Sequence, residues 1–320
     1  MVGSKRKARG ALAVLLTCLT ATSAFGEPAS GFDQWLYPED LRAEDARQAT
    51  STGEVTARTL LRHSNLANGI VWLGAAAAVN LAGSPPSSAN WEGGILLDDD
   101  LRDVLRSGSA GDRELADDIS TGLLVTTIAA PLLLDAVLKK GWHDGDPVNA
   151  GLMAERWLEA TALSVFTSEL MKIIVGRERP FDDKCDGTPP RDADCGKSTA
   201  RESFFSGHSS VAATGAGLLC ANALKRQLWG DTAYGLISCG LGISTAAATG
   251  ILRIAADKHW STDVVVGWAV GGLVGYFDVP GPFDLLTFTI DDKRGGSLAQ
   301  GTVVPTVGRD SIGLRLAMRF

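Results

Sequence analysis

Three short polar clusters each lie at the end of an apolar segment, and that placement most limits how this chain can fold. The first runs from Lys172 to Arg179 and Pro180. The second is Phe205, Ser206, Gly207 and His208, and the third runs from Arg253 through His259 to Asp263. If neighbouring segments are antiparallel helices, their cluster-bearing ends meet at one level. Lys172, Arg179 and Arg253 then converge on two of the chain's four histidines. Three fixed cations beside acid–base and nucleophilic candidates describe a site for a phosphate-like oxyanion.

The clusters carry distinct chemistry. His259 and Asp263 are four apart, so on a helix they share a face. Asp263 can accept from one ring nitrogen, fixing the tautomer and leaving the other nitrogen free to attack. Ser206 and Gly207 precede an apolar helix, whose first amides make an anion site that glycine lets a ligand approach closely. His208 follows as the candidate general acid. A lone His–Asp pair is an ordinary surface feature and Ser-Gly-His a common helix start, so the weight lies in their conjunction. Glu159, Glu169 and Asp135 are expected to pair helices, and His63 and His143 to lie on the surface. No Cys/His or carboxylate set has metal-ligand spacing, so neither a metal nor another cofactor is expected.

In order, spacing and residue type the clusters resemble the three signature motifs of the type 2 phosphatidic acid phosphatase superfamily, which includes vanadium-dependent haloperoxidases and class A acid phosphatases. The first motif matches fully. Phe205 stands where the second usually has proline and Leu252 where the third usually has serine, so no charged or proton-transferring group is lost. The resemblance covers residues 60–278, and its motifs leave two positions open, so Arg177 and Lys258 are expected at the solvent or the rim. It implies an antiparallel helical bundle, a phosphate cradle of Lys172, Arg179, Ser206, Gly207 and Arg253, and catalysis by His259, His208 and Asp263. His259 would become transiently phosphorylated, with Asp263 orienting it and His208 protonating the leaving group.

The rest of the chain suits an envelope protein. Residues 1–26 read as a signal peptide, with a basic start at Lys5, an apolar middle and a small-residue site at Ala24 and Gly26. Residues 27–60 read as a polar arm, with a short amphipathic helix expected over 38–61. Residues 61–279 make the phosphatase-like domain. Apolar runs are expected at 69–81, 122–138, 209–224, 233–252 and 264–277, with a short helix at 98–106 and a longer one at 155–175. The first run, about a dozen residues, is short for a membrane span. Gly, Ala and Ser in the last runs favour close helix packing. Past residue 280 the pattern turns β-branched, and 312–320 alternates with a period of two, predicting a small β appendage. The fold class is therefore mainly α, with a C-terminal β tail.

Four cysteines follow the leader segment, which suits an oxidising compartment. Cys185 and Cys195 lie in one polar loop, and a bridge between them would contribute roughly 3 kcal/mol. Cys220 and Cys239 could pair or remain buried thiols. A net charge of -7 with no basic stripe argues against nucleic-acid binding. The combined expectation is an exported, membrane-embedded or membrane-associated phosphatase of the bacterial cell envelope. Its site would face the periplasm, and it would act on phosphomonoesters or pyrophosphates, favouring a lipid phosphate. A soluble periplasmic enzyme, a vanadate-dependent haloperoxidase and a non-catalytic envelope protein are the alternatives.

Overall fold

The computed structural model describes residues 64–83, 85–181, 195, 197–230, 232–277, 279 and 281, and the backbone of three C-terminal strands. The expected signal peptide, the expected arm with its amphipathic helix, His63 and Cys185 lie outside the described residues. The helices are α1 (Ser64–Ala82), α2 (Asp98–Leu105), α3 (Ala110–Ala130), α4 (Pro147–Val175), α5 (Gly207–Cys220), α6 (Thr232–Ala255) and α7 (Ser261–Tyr276). A 3-10 turn, Ser198–Arg201, precedes α5.

Local chemistry sets the helix ends. Ser109 caps α3 by accepting from the Asp112 amide, and Asp146 caps α4 through Asn149, with Pro147 in the first turn. α4 stops at Gly176, whose φ of 57° is left-handed and whose amide bonds back to the Lys172 carbonyl. At Pro131, which has no amide to give the ladder, α3 widens into the π-helix Pro131–His143. α5 likewise continues as the π-turn Ala221–Lys225.

α5 is the central helix, packed against α3, α4, α6 and α7. Its contact with α7 depends on glycine. A Cβ at Gly271 would stand 1.9 Å from the Ser210 carbonyl oxygen, and one at Gly275 2.1 Å from that of Thr214. The two backbones therefore touch, as small residues allow. A disulfide joins Cys220 on α5 to Cys239 on α6, closing the question the sequence left open. Trp157 on α4 donates to the Ile128 carbonyl on α3 at 2.7 Å, and Trp268 on α7 to Ala246 on α6 at 3.0 Å.

Successive long helices alternate in direction from α3 onward. α1 runs parallel to α4, since Gly69 meets Leu158 near their starts and Gly83 meets Ile173 near their ends. Lys172, Gly207, Arg253 and Ser261 consequently share one end of the bundle. Lys139, Lys140, Lys225 and Arg226 lie toward the other end.

The bundle is small and polar inside and apolar outside. Ala162, Ala212, Ala256, Ser164, Ser210 and Thr249 are fully buried, whereas Ile70, Leu81, Val125, Leu133, Leu236 and Leu241 are exposed. A continuous apolar exterior of this kind suits lipid rather than water. Among the described residues three segments are long and apolar enough to cross a membrane: Asn65–Ala82, Ala110–His143 and Ala233–Ala255. This corrects the short first span expected over 69–81. Helix α1 has 19 residues because polar Ser64, Asn65 and Asn68 extend it, and Asn68 is itself buried.

Beyond the bundle, strands β1 (Thr287–Asp291), β2 (Ser297–Val307) and β3 (Ile312–Arg319) pair antiparallel in the order β1-β2-β3.

Candidate active site

The C-terminal turn of α4 supplies Lys172, and the left-handed turn at Gly176 sends the chain into an extended segment. That segment is held on both sides. The Glu178 amide donates to the Trp91 carbonyl at 3.0 Å, and the Arg179 amide to that of Ala200 at 2.7 Å. Arg179 is thereby held beside the start of α5, where its Nη2 donates to the Glu202 carbonyl at 3.4 Å. Ser206 caps α5, its hydroxyl accepting from the Ser209 amide, and its own amide donates to the Asp263 carbonyl at 3.1 Å. Gly207 faces the first cluster. A Cβ there would be 3.3 Å from Ser168 Oγ and 3.6 Å from Lys172 Nζ.

Arg253, in the last turn of α6, is 4% exposed. It pairs with the Asp117 carboxylate of α3 and donates to Ser120 Oγ at 3.3 Å. The loop after it is pinned by Asp257, which has a φ of 62° and accepts from Arg102 at 2.6 Å and Arg106 at 2.5 Å. His259 then lies buried, its Nδ1 2.8 Å from the Ser203 carbonyl oxygen. A carbonyl only accepts, so Nδ1 carries the proton and Nε2 keeps its lone pair. His208 is half-buried, with Nε2 3.3 Å from Thr121 Oγ1.

Both histidines sit in the same cationic field. Burial, then Arg253, Lys172 and Arg179, push the His208 ring down to about 3, with Asp117 pulling the other way. Burial, then Arg179, Arg253, Lys172 and His208, hold His259 well below its usual value. The convergence expected of Lys172, Arg179, Arg253, His208 and His259 is thus present, with the α5 N-terminus among them. Such an arrangement binds an anion with three cations and offers it an unprotonated nitrogen. Lys172 also pairs with Glu169 at 2.5 Å. Beside it opens a cleft of about 470 Å³ lined by Asn80, Pro86, Ile173, Arg201 and Glu202, among others. Among the described residues no cluster of His, Cys, Asp or Glu could hold a metal ion.

Two expectations are corrected. Arg177, expected at the solvent or rim, is fully buried because it bridges two carboxylates, Asp98 at 2.7 Å and Asp263 at 2.5 Å. Asp263, expected to hold His259 directly, stands 3.9 Å from Nδ1. Its oxygens are engaged by Arg177, by Ser203 Oγ at 2.5 Å and by the Trp260 amide at 3.0 Å. Lys258 is half-buried, 4.9 Å over the Phe181 ring at the rim. Glu169 pairs with Lys172 within α4, while Asp135 accepts from Asn222 and Trp229 and so joins α3 to the end of α5 and the turn beyond it. His143 is exposed beside Asp144. Cys195 is disulfide-bonded, and Cys185, its expected partner, lies outside the described residues. Sequence reasoning missed Asp98, Asp117 and Ser203. Asp98 and Asp117 each stand among neighbouring acids that resemble a solvated helix face.

A helical bundle with three cations and two uncharged histidines gathered at one end has the chemistry to hold a phosphate-like anion. Residues 156–284, which contain all three clusters, match the model of the PAP2 superfamily. The chain is also 28% identical over 179 residues to a Lipid A 1-phosphatase of Porphyromonas gingivalis. That alignment covers 56% of this chain but only 33% of the relative, so the chain spans about a third of that protein's length. No solved structure matches.

Proposed function

We propose that this protein is a phosphatase that removes a phosphate from a lipid-linked phosphomonoester or terminal pyrophosphate through a phosphohistidine at His259. The observation carrying this reading is the bond from His259 Nδ1 to the Ser203 carbonyl, which leaves Nε2 basic among three cations. Nε2 attacks phosphorus as the phosphorus–oxygen bond to the alcohol breaks. Lys172, Arg179, Arg253 and the amides at the start of α5 take up the charge on the phosphoryl oxygens. Bound phosphate offsets the cations that keep His208 unprotonated, so the ring takes up a proton, delivers it to the departing oxygen, then accepts one from the water that hydrolyses the phosphohistidine. No step calls for a metal.

Two findings favour a lipid substrate. The bundle exterior is apolar on the helices that frame the site, and the relative named above is a lipid A phosphatase. Lys139, Lys140, Lys225 and Arg226 lie toward the far end, and the positive-inside tendency favours a cytoplasmic position for that end and a periplasmic one for the site. α1 starts at the cytoplasmic end in this orientation, so if it crosses, the residues before it begin inside and the leader is not cleaved. A cleaved leader requires an α1 that does not cross.

Rapid quench with phosphorus-labelled substrate tests the mechanism. An acid-labile, base-stable label on His259 is expected, with turnover that persists in excess chelator and is inhibited by vanadate. A label on serine or aspartate, or activity restored only by a divalent ion, would overturn it. Halide oxidation dependent on added vanadate would instead favour a haloperoxidase.

A further inference from the structure

An unbroken chain of buried polar groups runs from the start of α2 to the ring of His259. Asp98 accepts from Ser261 Oγ at 2.6 Å, from the Thr262 amide at 2.8 Å and from Arg177 Nη2 at 2.7 Å. Arg177 Nη1 donates to Asp263 Oδ1 at 2.5 Å, while the Trp91 ring covers the guanidinium at 4.1 Å. Asp263 Oδ2 accepts from Ser203 Oγ at 2.5 Å, and the Ser203 carbonyl accepts from His259 Nδ1 at 2.8 Å. Asp98, Arg177, Ser203 and Asp263 are all fully buried.

We propose that Ser203, Arg177 and Asp98 are positioning residues for the attacking histidine, with Ser203 setting its tautomer and the Asp98–Arg177 pair fixing Ser203 through Asp263. The inference rests on the phosphohistidine reading for its catalytic meaning, though not for its geometry.

The arrangement has a physical logic. Ser203 uses both of its ends: the hydroxyl donates to Asp263 while the main-chain oxygen receives the imidazole proton. Holding the hydroxyl therefore holds the carbonyl. Arg177 presents a planar fork to carboxylates on two different helices, which a lysine's single ammonium cannot reproduce. Two carboxylates against one guanidinium leave a net negative charge behind the ring. As Nε2 bonds to phosphorus, positive charge grows on the imidazole, and Asp263 at 3.9 Å offsets it without taking the Nδ1 proton. The proton on Nδ1 stays in place throughout, and the leaving oxygen receives its proton from His208.

Ser203→Ala and Arg177→Lys in the full chain test the proposal, since each retains most of the buried volume. For both alkyl and aryl phosphates kcat should fall about 10²-fold, the scale of a misplaced nucleophile. KM and inhibition by inorganic phosphate, which needs only the cations, should stay within about twofold. Vanadate, which bonds Nε2, should lose affinity along with kcat. Nitrogen-15 NMR of His259 should find the Nδ1–H tautomer in the parent protein and a mixture in the variants. Wild-type kcat in both variants would overturn the proposal, as would phosphate affinity falling in step with kcat. If the parent protein neither turns over phosphates nor binds vanadate, the phosphatase reading fails. The tautomer measurement then still decides the positioning role, and an unchanged tautomer in both variants refutes it.

Discussion

Arg253 of α6 and Asp117 of α3 form an ion pair at the mouth of the proposed phosphate cradle, so a carboxylate lies on a cation that phosphate would need. Asp117 also raises the affinity of His208 for its proton. Asp117→Asn should therefore tighten inhibition by inorganic phosphate several-fold. It should at the same time slow alkyl phosphates, whose leaving oxygen requires the His208 proton, by about 10-fold or more. Steady-state kinetics with phosphate as inhibitor read both effects. Weaker phosphate inhibition would show that Asp117 supports the cradle rather than competing for it.

The two histidines should separate by leaving group. His259→Ala should abolish turnover and covalent labelling alike. His208→Ala should be slow, by about 10²- to 10⁴-fold, on alkyl phosphates and recover on aryl phosphates, whose phenolate departs without a proton. Arg253→Ala should weaken both substrate types, because it contacts the phosphoryl oxygens they share. Equal losses for His208→Ala on both types would remove its role as the acid.

Acidity should act on stability through the same histidines. Both are held below the ordinary histidine value of 6.5 in the folded protein, His208 at about 3. Below pH 6.5 the unfolded chain thus binds more protons than the folded one. Stability contributed by this difference is complete above about pH 6.5 and is lost as pH falls, for His208 down to about 3. Denaturant melts of His208→Ala should have a shallower acid slope than the parent. Added phosphate should flatten the slope too, since an anion among the cations favours the protonated ring. An unchanged slope in the variant would contradict the neutral, buried ring.

Orientation can be settled with labels. Single cysteines at exposed Trp142, on the basic end, and at Arg201, beside the cleft, should react from opposite sides of the membrane, with Arg201 accessible from the periplasm. An uncleaved N-terminus by mass spectrometry should accompany that result if α1 crosses. Arg201 labelled only from the cytoplasm would invert the scheme.

The sequence made the helices and the cradle readable because each cluster sits at an apolar boundary and each cap is local: Ser206 before α5, Gly176 after α4. Its limits lie with groups whose surroundings are assembled from distant segments. Arg177 sits in an alternating run of charges that looks solvated, yet its partners Asp98 and Asp263 are 79 and 86 residues away. Ser203 has no side-chain signature at all, since its contact with His259 is made by the backbone. The length of α1 was hidden because Asn68 looks like a loop residue and is buried only by tertiary packing.

The direct backbone contact of α5 with α7 at Gly271 and Gly275 has a dynamic consequence. Helices packed main chain to main chain cannot slide or tilt against each other without carbonyls colliding. The amides at the start of α5 and the loop carrying His259 therefore travel as one rigid unit, keeping the anion site and the nucleophile in register. The α3 backbone meets α5 in the same way, since a Cβ at Gly215 would stand 2.4 Å from the Thr127 carbonyl oxygen, so any breathing that admits a bulky substrate falls to α1, whose nearest contacts with α4 are the Leu158 and Ile173 side chains.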